Sequence, residues 1–585
     1  MISFYLNGKR HEISHLNPNT TVLEYLRLHE HHTDTKEGCG SGDCGACTIM
    51  AQRLPNHAMS DSSNSTPFYT FNSCIALLSL MDGHHLMTAS YLADNPAHHP
   101  ERALLHPAQQ AMVDCHGSQC GFCTPGFVMS LANLYENNRM QQQQNAKPSY
   151  DDPSYDDLSY DDIVAAISGN LCRCTGYRPI IEAGLTMGKI GQQRDTDKTV
   201  AKDLTISLAT DAMASNSDAL LKTASLDTSN QASTIEPALA EGSRQLFIPK
   251  TVDELNQLLA VYPSATIWAG GTDLGLSITQ HLVDHEVIIQ LSAIDELKTW
   301  SLSHSKSSSK HDSKANAKLL SELDNSTDNE EVVQELTFGA GMTYQQMLPI
   351  LEQNYPEFAA LFARTASPQI RNMGTLGGNI ANASPIGDLP PILLALEARI
   401  HLRHCNPNNR DIGGEEVSAK DENNEHNQKP YVDEIIPLSE FFIDYKKTKL
   451  RAGSYIVAIH MPLMQANQHL FIHKISKRYE DDISACLVAV RIDLSADGMT
   501  IDHAKIGLGG MAAIPLLAKN CQQALLGQPL ELASFEKAAK ALPMDVSPLT
   551  DVRASREYRL HVVQRLLIKC GKQLIKETQT ERESS

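Results

Sequence analysis

The sequence predicts a multidomain α+β chain, and three observations carry that expectation. With 585 residues it exceeds what one core normally organises, and roughly three or four domains follow at ~100–200 residues each. Strand-like alternation at the N-terminus gives way to helical periodicity after about residue 91, and mixed strand and helix patterns return from about residue 244. Cysteine-rich loops occupy the first part of the chain, whereas paired-glycine loops occupy the middle. The expected divisions are 1–91, 92–185, a linker at 186–243, then 244–466 and 467–577.

Ile2–Leu6 alternates around an apolar set and runs into Asn7-Gly8, a two-residue hairpin signal, so Lys9–Ile13 is the expected returning strand. Thr21–Arg27 has helical spacing, with Leu23 and Leu26 on one side. Next comes Gly38-Cys39-Gly40-Ser41-Gly42-Asp43-Cys44-Gly45-Ala46-Cys47, answered by Cys74. Three cysteines spaced C-x4-C-x2-C with a distant fourth form the plant-type ferredoxin arrangement for a [2Fe–2S] cluster, whereas zinc sites favour symmetric C-x2-C pairs. Strand, strand, helix and cysteine loop is the order of a β-grasp ferredoxin domain. The interleaved glycines suit a loop that wraps an anionic cluster with its amides turned inward. A polar insertion is expected at 51–67.

Helices are expected at Ala108–Val113 and Gly126–Tyr135, flanking Cys120-Gly121-Phe122-Cys123. A Ser-Tyr-Asp-Asp repeat follows at 149–162; Ser159 in its last copy is a candidate N-cap for a helix starting near Ile163, and the earlier copies read as solvated linker. That helix leads to Cys172-Arg173-Cys174. Cys120, Cys123, Cys172 and Cys174 make a second set of four thiols, enough for a second cluster. Cys115 also has the right spacing from Cys120 and Cys123, but using it would strand one of the close pair, so it is read as a bystander.

The stretch 188–243 is rich in Ser, Thr, Ala and Asp and lacks periodicity, which predicts a linker. Beyond it, Thr251–Glu254 carries a capping pattern for a helix that turns Leu255, Leu258 and Leu259 inward. The strand Ala265–Trp268 delivers the chain to Ala269-Gly270-Gly271-Thr272-Asp273-Leu274. A second glycine loop, Arg371–Ile380, is followed by Ser384–Asp388. Glycine turns after strands bring backbone amides up to a pyrophosphate, yet neither loop is a Rossmann fingerprint or a P-loop, so another nucleotide-binding fold is implied. Polar segments at 302–330 and 406–432 read as surface insertions. Further on, Ala485–Ile492 is an expected strand, Gly507–Met511 a turn and Arg553–Ile568 an amphipathic helix. Cys405, Cys486, Cys521 and Cys570 have no ligand spacing and read as buried thiols.

A net charge of −20 argues against nucleic acid or an anionic membrane as partner. The N-terminus lacks a basic region followed by an apolar one, and no apolar run approaches the ~18 residues of a membrane helix. Clustered cysteines in a long chain fit metal ligation in a reducing compartment, so a cytoplasmic location is expected.

With both cysteine sets, both glycine loops and Lys474–Ile483 in view, the chain resembles the small subunit of bacterial xanthine dehydrogenases, the iron–sulfur and FAD portion of the molybdenum hydroxylases. The resemblance implies a β-grasp [2Fe–2S] domain, a helical-bundle [2Fe–2S] domain, an FAD domain of the vanillyl-alcohol-oxidase type and an α+β C-terminal flavoprotein domain. It assigns the second cluster to Cys120, Cys123, Cys172 and Cys174. It places Thr266, Ile267, Trp268, Ala269, Gly270, Gly271, Thr272, Asp273 and Leu274, with Thr375, Leu376, Gly377, Gly378 and Asn379, along the FAD pyrophosphate and ribityl chain. Asp388, Ile456 and Lys474 are further contacts, and Lys474–Asp482 lies near the flavin and influences NAD access. Where several relatives set an aromatic against the adenine, Thr365 aligns here.

By the same resemblance, electrons pass from a molybdopterin centre on a partner chain through both clusters to FAD and on to NAD during hydroxylation of hypoxanthine or xanthine. No general base is expected on this chain. The known domains leave no room for a molybdopterin-binding region, so a large partner subunit in a heterotetramer is implied, with Gln119 and the turns around Cys123 and Cys174 facing it. The alternatives are the same subunit of an aldehyde or N-heterocycle hydroxylase and a stand-alone iron–sulfur NADH diaphorase.

Overall fold

Alternation along the first strand decides the N-terminal sheet. In β1 (Ile2–Leu6), Ile2, Phe4 and Leu6 are buried while Ser3 and Tyr5 are half-buried. Asn7 and Gly8 both take positive φ, 49° and 78°, the geometry of a tight hairpin that returns the chain along β2 (Lys9–Ile13). The structure is a computed structural model; it describes residues 1–54, 66–93, 105–145, 158–196, 235–306, 332–405 and 431–584. The earlier Ser-Tyr-Asp-Asp copies and most of the expected polar insertions lie outside the described residues.

β3 (Thr48–Arg53), β4 (Phe68–Asn72) and β5 (His84–Met87) complete a sheet ordered β2-β1-β5-β3-β4, with β1 and β5 parallel. β3 extends into the stretch expected as an insertion, because its partner strand beyond residue 67 pairs with it as far as Gln52. The expected helix near Thr21 is one turn, Val22–Glu24, capped by Thr21, and continues as a π-helix over Tyr25–His29.

Four helices follow, Pro107–Asp114, Thr124–Asn145, Tyr160–Ile167 and Arg178–Thr196, packed around Phe127, Leu131, Ile163, Ile180 and Met187. Ser159 caps the third through a reciprocal bond pair with Asp162. The last helix continues to Thr196, past the expected linker start, because Met187 remains in the core and Gly191 lies against the Tyr135 ring.

The next sheet is ordered β6-β7-β9-β8 (Leu239–Glu241, Arg244–Phe247, Val287–Gln290 and Thr266–Trp268 for β6, β7, β9 and β8), with parallel pairing around β9. Thr251 caps the helix Val252–Val261, accepting from the Glu254 amide. β10 (Trp300–Lys306), β11 (Val332–Gly339), β12 (Arg399–His404), β13 (Val432–Pro437) and β16 (Ser454–Pro462) form an antiparallel sheet ordered β10-β11-β16-β12-β13. β14 (Phe442–Asp444) and β15 (Lys447–Thr448) make a small hairpin.

The C-terminal sheet runs β17-β18-β19-β20 (Gln468–Ile475, Cys486–Leu494, Ile501–Gly509, Leu516–Leu517). Every residue of β18 is buried, under the helix Arg556–Ser584 on one side and the helix Leu389–Ala395 on the other. Gly507, expected in a turn, is inside β19: a Cβ there would lie 1.9 Å from the Pro391 carbonyl oxygen, so the glycine admits the helix backbone rather than bending the strand. Cys405, Cys486, Cys521 and Cys570 are buried in these cores. Among the described residues no helix is long and apolar enough to cross a membrane.

Candidate functional site: two cysteine loops and a paired glycine cleft

The first cysteine loop is wound by glycine. Gly40, Gly42 and Gly45 all take positive φ, and the Ser41 and Cys44 amides turn inward to donate to Cys39 Sγ, each at 3.4 Å. Cys39 also accepts from the Cys44 and Cys74 thiols, which draws its thiol far below the ordinary range, and Cys74 donates to Cys47 as well. Cys39, Cys44, Cys47 and Cys74 are therefore brought together. Cys47 and Cys74 are buried beneath Leu23 and Ile75, with Leu276 and Ile370 from the glycine-loop part of the chain closing over them.

In the second set, Cys174 Sγ is 3.5 Å from Cys120 Sγ and 4.0 Å from Cys172 Sγ. Burial, then a hydrogen bond with Cys172, pushes the Cys123 thiol up to about 12. Thr175 donates to Cys172 Sγ through both its amide and its hydroxyl. Cys115 points elsewhere, with its sulfur 3.5 Å from Thr186 Oγ1. Cys120, Cys174 and Gln119 are exposed, whereas in the first set Cys47 and Cys74 are buried and Cys39 and Cys44 half-buried. Two groups of four convergent sulfurs, supplied with inward backbone N–H donors, match what a thiolate-held iron–sulfur cluster requires.

These loops touch. The Leu171 amide donates to the Cys44 carbonyl at 2.9 Å, and the Phe122 ring edge packs over Gly38.

The glycine loops meet as well. A Cβ at Gly270 would lie 1.7 Å from the Met373 carbonyl oxygen, so only glycine lets the first loop, Ala269–Leu274, close on the second. Thr375 caps the helix Leu376–Asn382 by accepting from the Gly378 amide. The Gly377 amide donates to Ala340 O, whose own amide donates to Val457 O, next to buried Ile456. Thr272 and Gly271 are half-buried and Asp273 and Gly378 exposed, so both loops reach the surface. Trp268 Nε1 and Asn379 Oδ1 are buried there without hydrogen-bond partners, which fits a polar ligand at these positions. Thr266 instead pairs with His285, and Ile267 packs in the core behind the loop.

Lys474 and Asp388 form an ion pair of 2.7 Å, with side chains 0% and 7% exposed. Ser484 donates to the other Asp388 oxygen at 2.5 Å, and Thr365 donates to Asp388 Oδ2 at 3.3 Å. Thr365 is thus a carboxylate partner. Arg364 stacks over the Tyr479 ring at 3.3 Å, which pins the loop between Lys474 and Ser484. On that loop burial, assisted by Asp43, raises the Asp481 carboxyl to about 7.

The glycine-loop part of the chain joins the first cysteine loop directly. Thr279 donates to Gly40 O at 2.7 Å, and Gln280 donates to Cys39 O at 3.1 Å. Sequence reasoning missed Thr279, Gln280 and Ser484, because nothing local to them announces a partner so distant in the chain.

Four domain families match the sequence: a 2Fe-2S iron-sulfur cluster binding domain at 4–79, a [2Fe-2S] binding domain at 92–185, an FAD binding domain in molybdopterin dehydrogenase at 242–309 and 315–417, and a CO dehydrogenase flavoprotein C-terminal domain at 471–574. The chain belongs to the molybdenum hydroxylases, as their iron–sulfur and FAD region. Among molybdenum hydroxylase relatives, a xanthine dehydrogenase of Blastobotrys adeninivorans is 30% identical over 90% of this chain and 37% of its own length. One from Drosophila subobscura is 27% identical over 93% of this chain and 37% of its own. The chain thus spans well under half of these relatives. Of solved structures, a carbon monoxide dehydrogenase from Hydrogenophaga pseudoflava matches with a TM-score of 0.44 at 23% identity, covering 56% of this chain and 96% of its own. A quinoline 2-oxidoreductase from Pseudomonas putida 86 matches with a TM-score of 0.42 at 21% identity, covering 57% and 98%.

Proposed function

We propose that this chain is the electron-transfer subunit of a xanthine dehydrogenase, working with a molybdopterin-binding partner subunit as a heterotetramer in the cytoplasm, with NAD as acceptor. Cys39, Cys44, Cys47 and Cys74 would hold one [2Fe–2S] cluster, and Cys120, Cys123, Cys172 and Cys174 the other. Thr266–Leu274, Thr375–Asn379, Asp388, Ile456 and Lys474 would line FAD. When bound, the clusters carry single electrons and the flavin pairs them for hydride transfer to NAD.

The observation that carries this reading is the ordered contact of the loops. The exposed second cysteine set touches the first through Leu171 and Cys44, and the first touches the flavin half through Thr279 and Gln280. The chain's own groups orient and shield: the Ser41 and Cys44 amides donate to Cys39 Sγ, Leu276 and Ile370 cover Cys47 and Cys74, and Asp388 holds Lys474. The similarity to xanthine dehydrogenases along nearly the whole chain favours a purine hydroxylase over other members.

The test is co-expression with a molybdopterin-binding partner chain from the same organism, followed by iron and flavin analysis and a purine screen with NAD reduction as readout. About four irons per chain are expected from two [2Fe–2S] clusters. Purine turnover by this chain alone, or a complex that oxidises aldehydes and ignores purines, overturns the reading.

A further inference from the structure

Gln369 is 1% exposed and sits on the short helix Pro368–Arg371 that leads into the second glycine loop. Its Nε2 lies 3.2 Å from Thr48 Oγ1, 3.3 Å from Ser130 Oγ and 3.2 Å from Asn170 Oδ1. Thr48 directly follows Cys47, Ser130 is on the helix that begins after Cys123, and Asn170 leads into Leu171-Cys172. The partners are cross-linked: Ser130 donates to Asn170 Oδ1 at 2.7 Å, and both Thr48 and Asn170 donate to the Gly45 carbonyl, at 2.7 and 3.0 Å. All four side chains are buried.

The backbones around this hub approach as closely as glycine allows. A Cβ at Gly45 would lie 2.2 Å from Gly169 O, one at Gly126 2.2 Å from Gly45 O, and one at Gly169 2.2 Å from Gln369 Oε1. Gln369 Oε1 itself is buried without a hydrogen-bond partner. An unpaired buried carbonyl is destabilising, a cost that a side chain kept only to fill space would avoid. What the glutamine provides is reach: one amide from the flavin half touches both cysteine-bearing parts at once.

We propose that Gln369 is a positioning residue that sets the spacing of the two cysteine loops and the flavin loop, and thereby the rate at which electrons pass between them. This rests on the electron-transfer reading above. Gln369 touches no cofactor-binding residue proposed there, so its effect is on geometry.

The test uses the full chain loaded with iron and FAD and the variant Gln369→Met, which keeps length and volume but removes the amide's NH2 donor and C=O acceptor. Iron and flavin contents are expected to match the parent. Cluster-to-flavin transfer after laser-flash reduction slows on the order of tenfold, because small misplacements are amplified in rate. The magnetic interaction between the two reduced clusters changes, and exchange of the Leu171 amide in the cofactor-free chain speeds up. Ser130→Ala shows the same changes more weakly, and the double variant is no slower than Gln369→Met alone, since both cut one network. Unchanged transfer and magnetic interaction in fully loaded Gln369→Met overturn the proposal. Should that variant fail to load, fully loaded Ser130→Ala with parental transfer overturns it equally, and slowed transfer there supports it. A parent chain that binds only one cluster or no flavin refutes the electron-transfer reading instead.

Discussion

Replacing Lys474 with methionine tests whether the Lys474–Asp388 pair is a structural strut of the flavin cleft. The pair spans 2.7 Å with side chains 0% and 7% exposed, so removing the ammonium strands a buried carboxylate. Breaking a buried pair from one side costs about 3–5 kcal/mol. Ser484 and Thr365 still donate to Asp388, which puts Lys474→Met near the low end, at about 3 kcal/mol. Trp268 is fully buried beside the first glycine loop, whereas Trp300 is half exposed, so the assay is urea unfolding followed by Trp268 fluorescence in a Trp300→Phe background. Adding Asp388→Asn removes the stranded charge while keeping a hydrogen-bonding side chain, and should recover about 2 kcal/mol of the loss. A loss under about 1 kcal/mol, the value of an exposed pair, or no recovery in the double variant, would refute the reasoning.

Cys44→Ser should abolish one of two distinct reduced-cluster EPR signals; retention of both moves the first ligand set elsewhere. Cys115→Ser should leave both signals intact, since its sulfur faces Thr186, and loss of the second signal would place it among the ligands. Asp481 has a folded-state pKa of about 7, above its unfolded value, so its contribution to loop stability is present at low pH and lost as pH rises through about 7. Tryptic cleavage at Lys477 and Arg478 should therefore accelerate between about pH 6 and 8 in the parent beyond trypsin's own pH dependence, and not in Asp481→Asn. Equal acceleration in both would dismiss Asp481 as the cause.

What could be read from sequence was local. The close cysteine spacings within each loop, the Asn7-Gly8 hairpin and the Ser159 and Thr251 caps each place cause and effect within a few residues, and only Cys74 and the Cys172/Cys174 pair had to be matched across a longer stretch. Glycine was legible as a signal but ambiguous in meaning: Gly270 marks loop against loop, whereas Gly507 looked like the same signal and marks a helix crossing a strand. The Gln369 hub was out of reach. Its partners Thr48, Ser130 and Asn170 come from separate parts of the chain, and although Asn170 sits in the second cysteine motif, nothing there announces a partner on the helix Pro368–Arg371. Thr365, aligned where several relatives set an aromatic against the adenine, carries no local signal for the carboxylate it meets in the structure, Asp388.

The cover over Cys47 and Cys74 has a consequence for how such a chain matures. Leu276 and Ile370, which close that site, arrive from segments synthesised long after the cysteines themselves. Once they have docked, Cys47 and Cys74 are buried while Cys39 and Cys44 stay half-buried, so an assembly scaffold delivering iron and sulfide would meet a largely closed site. The exposed Cys120 and Cys174 remain reachable after folding is complete. Burial therefore predicts an order of assembly: a cluster at the inner set would be inserted before the flavin half seats, whereas one at the outer set could follow it.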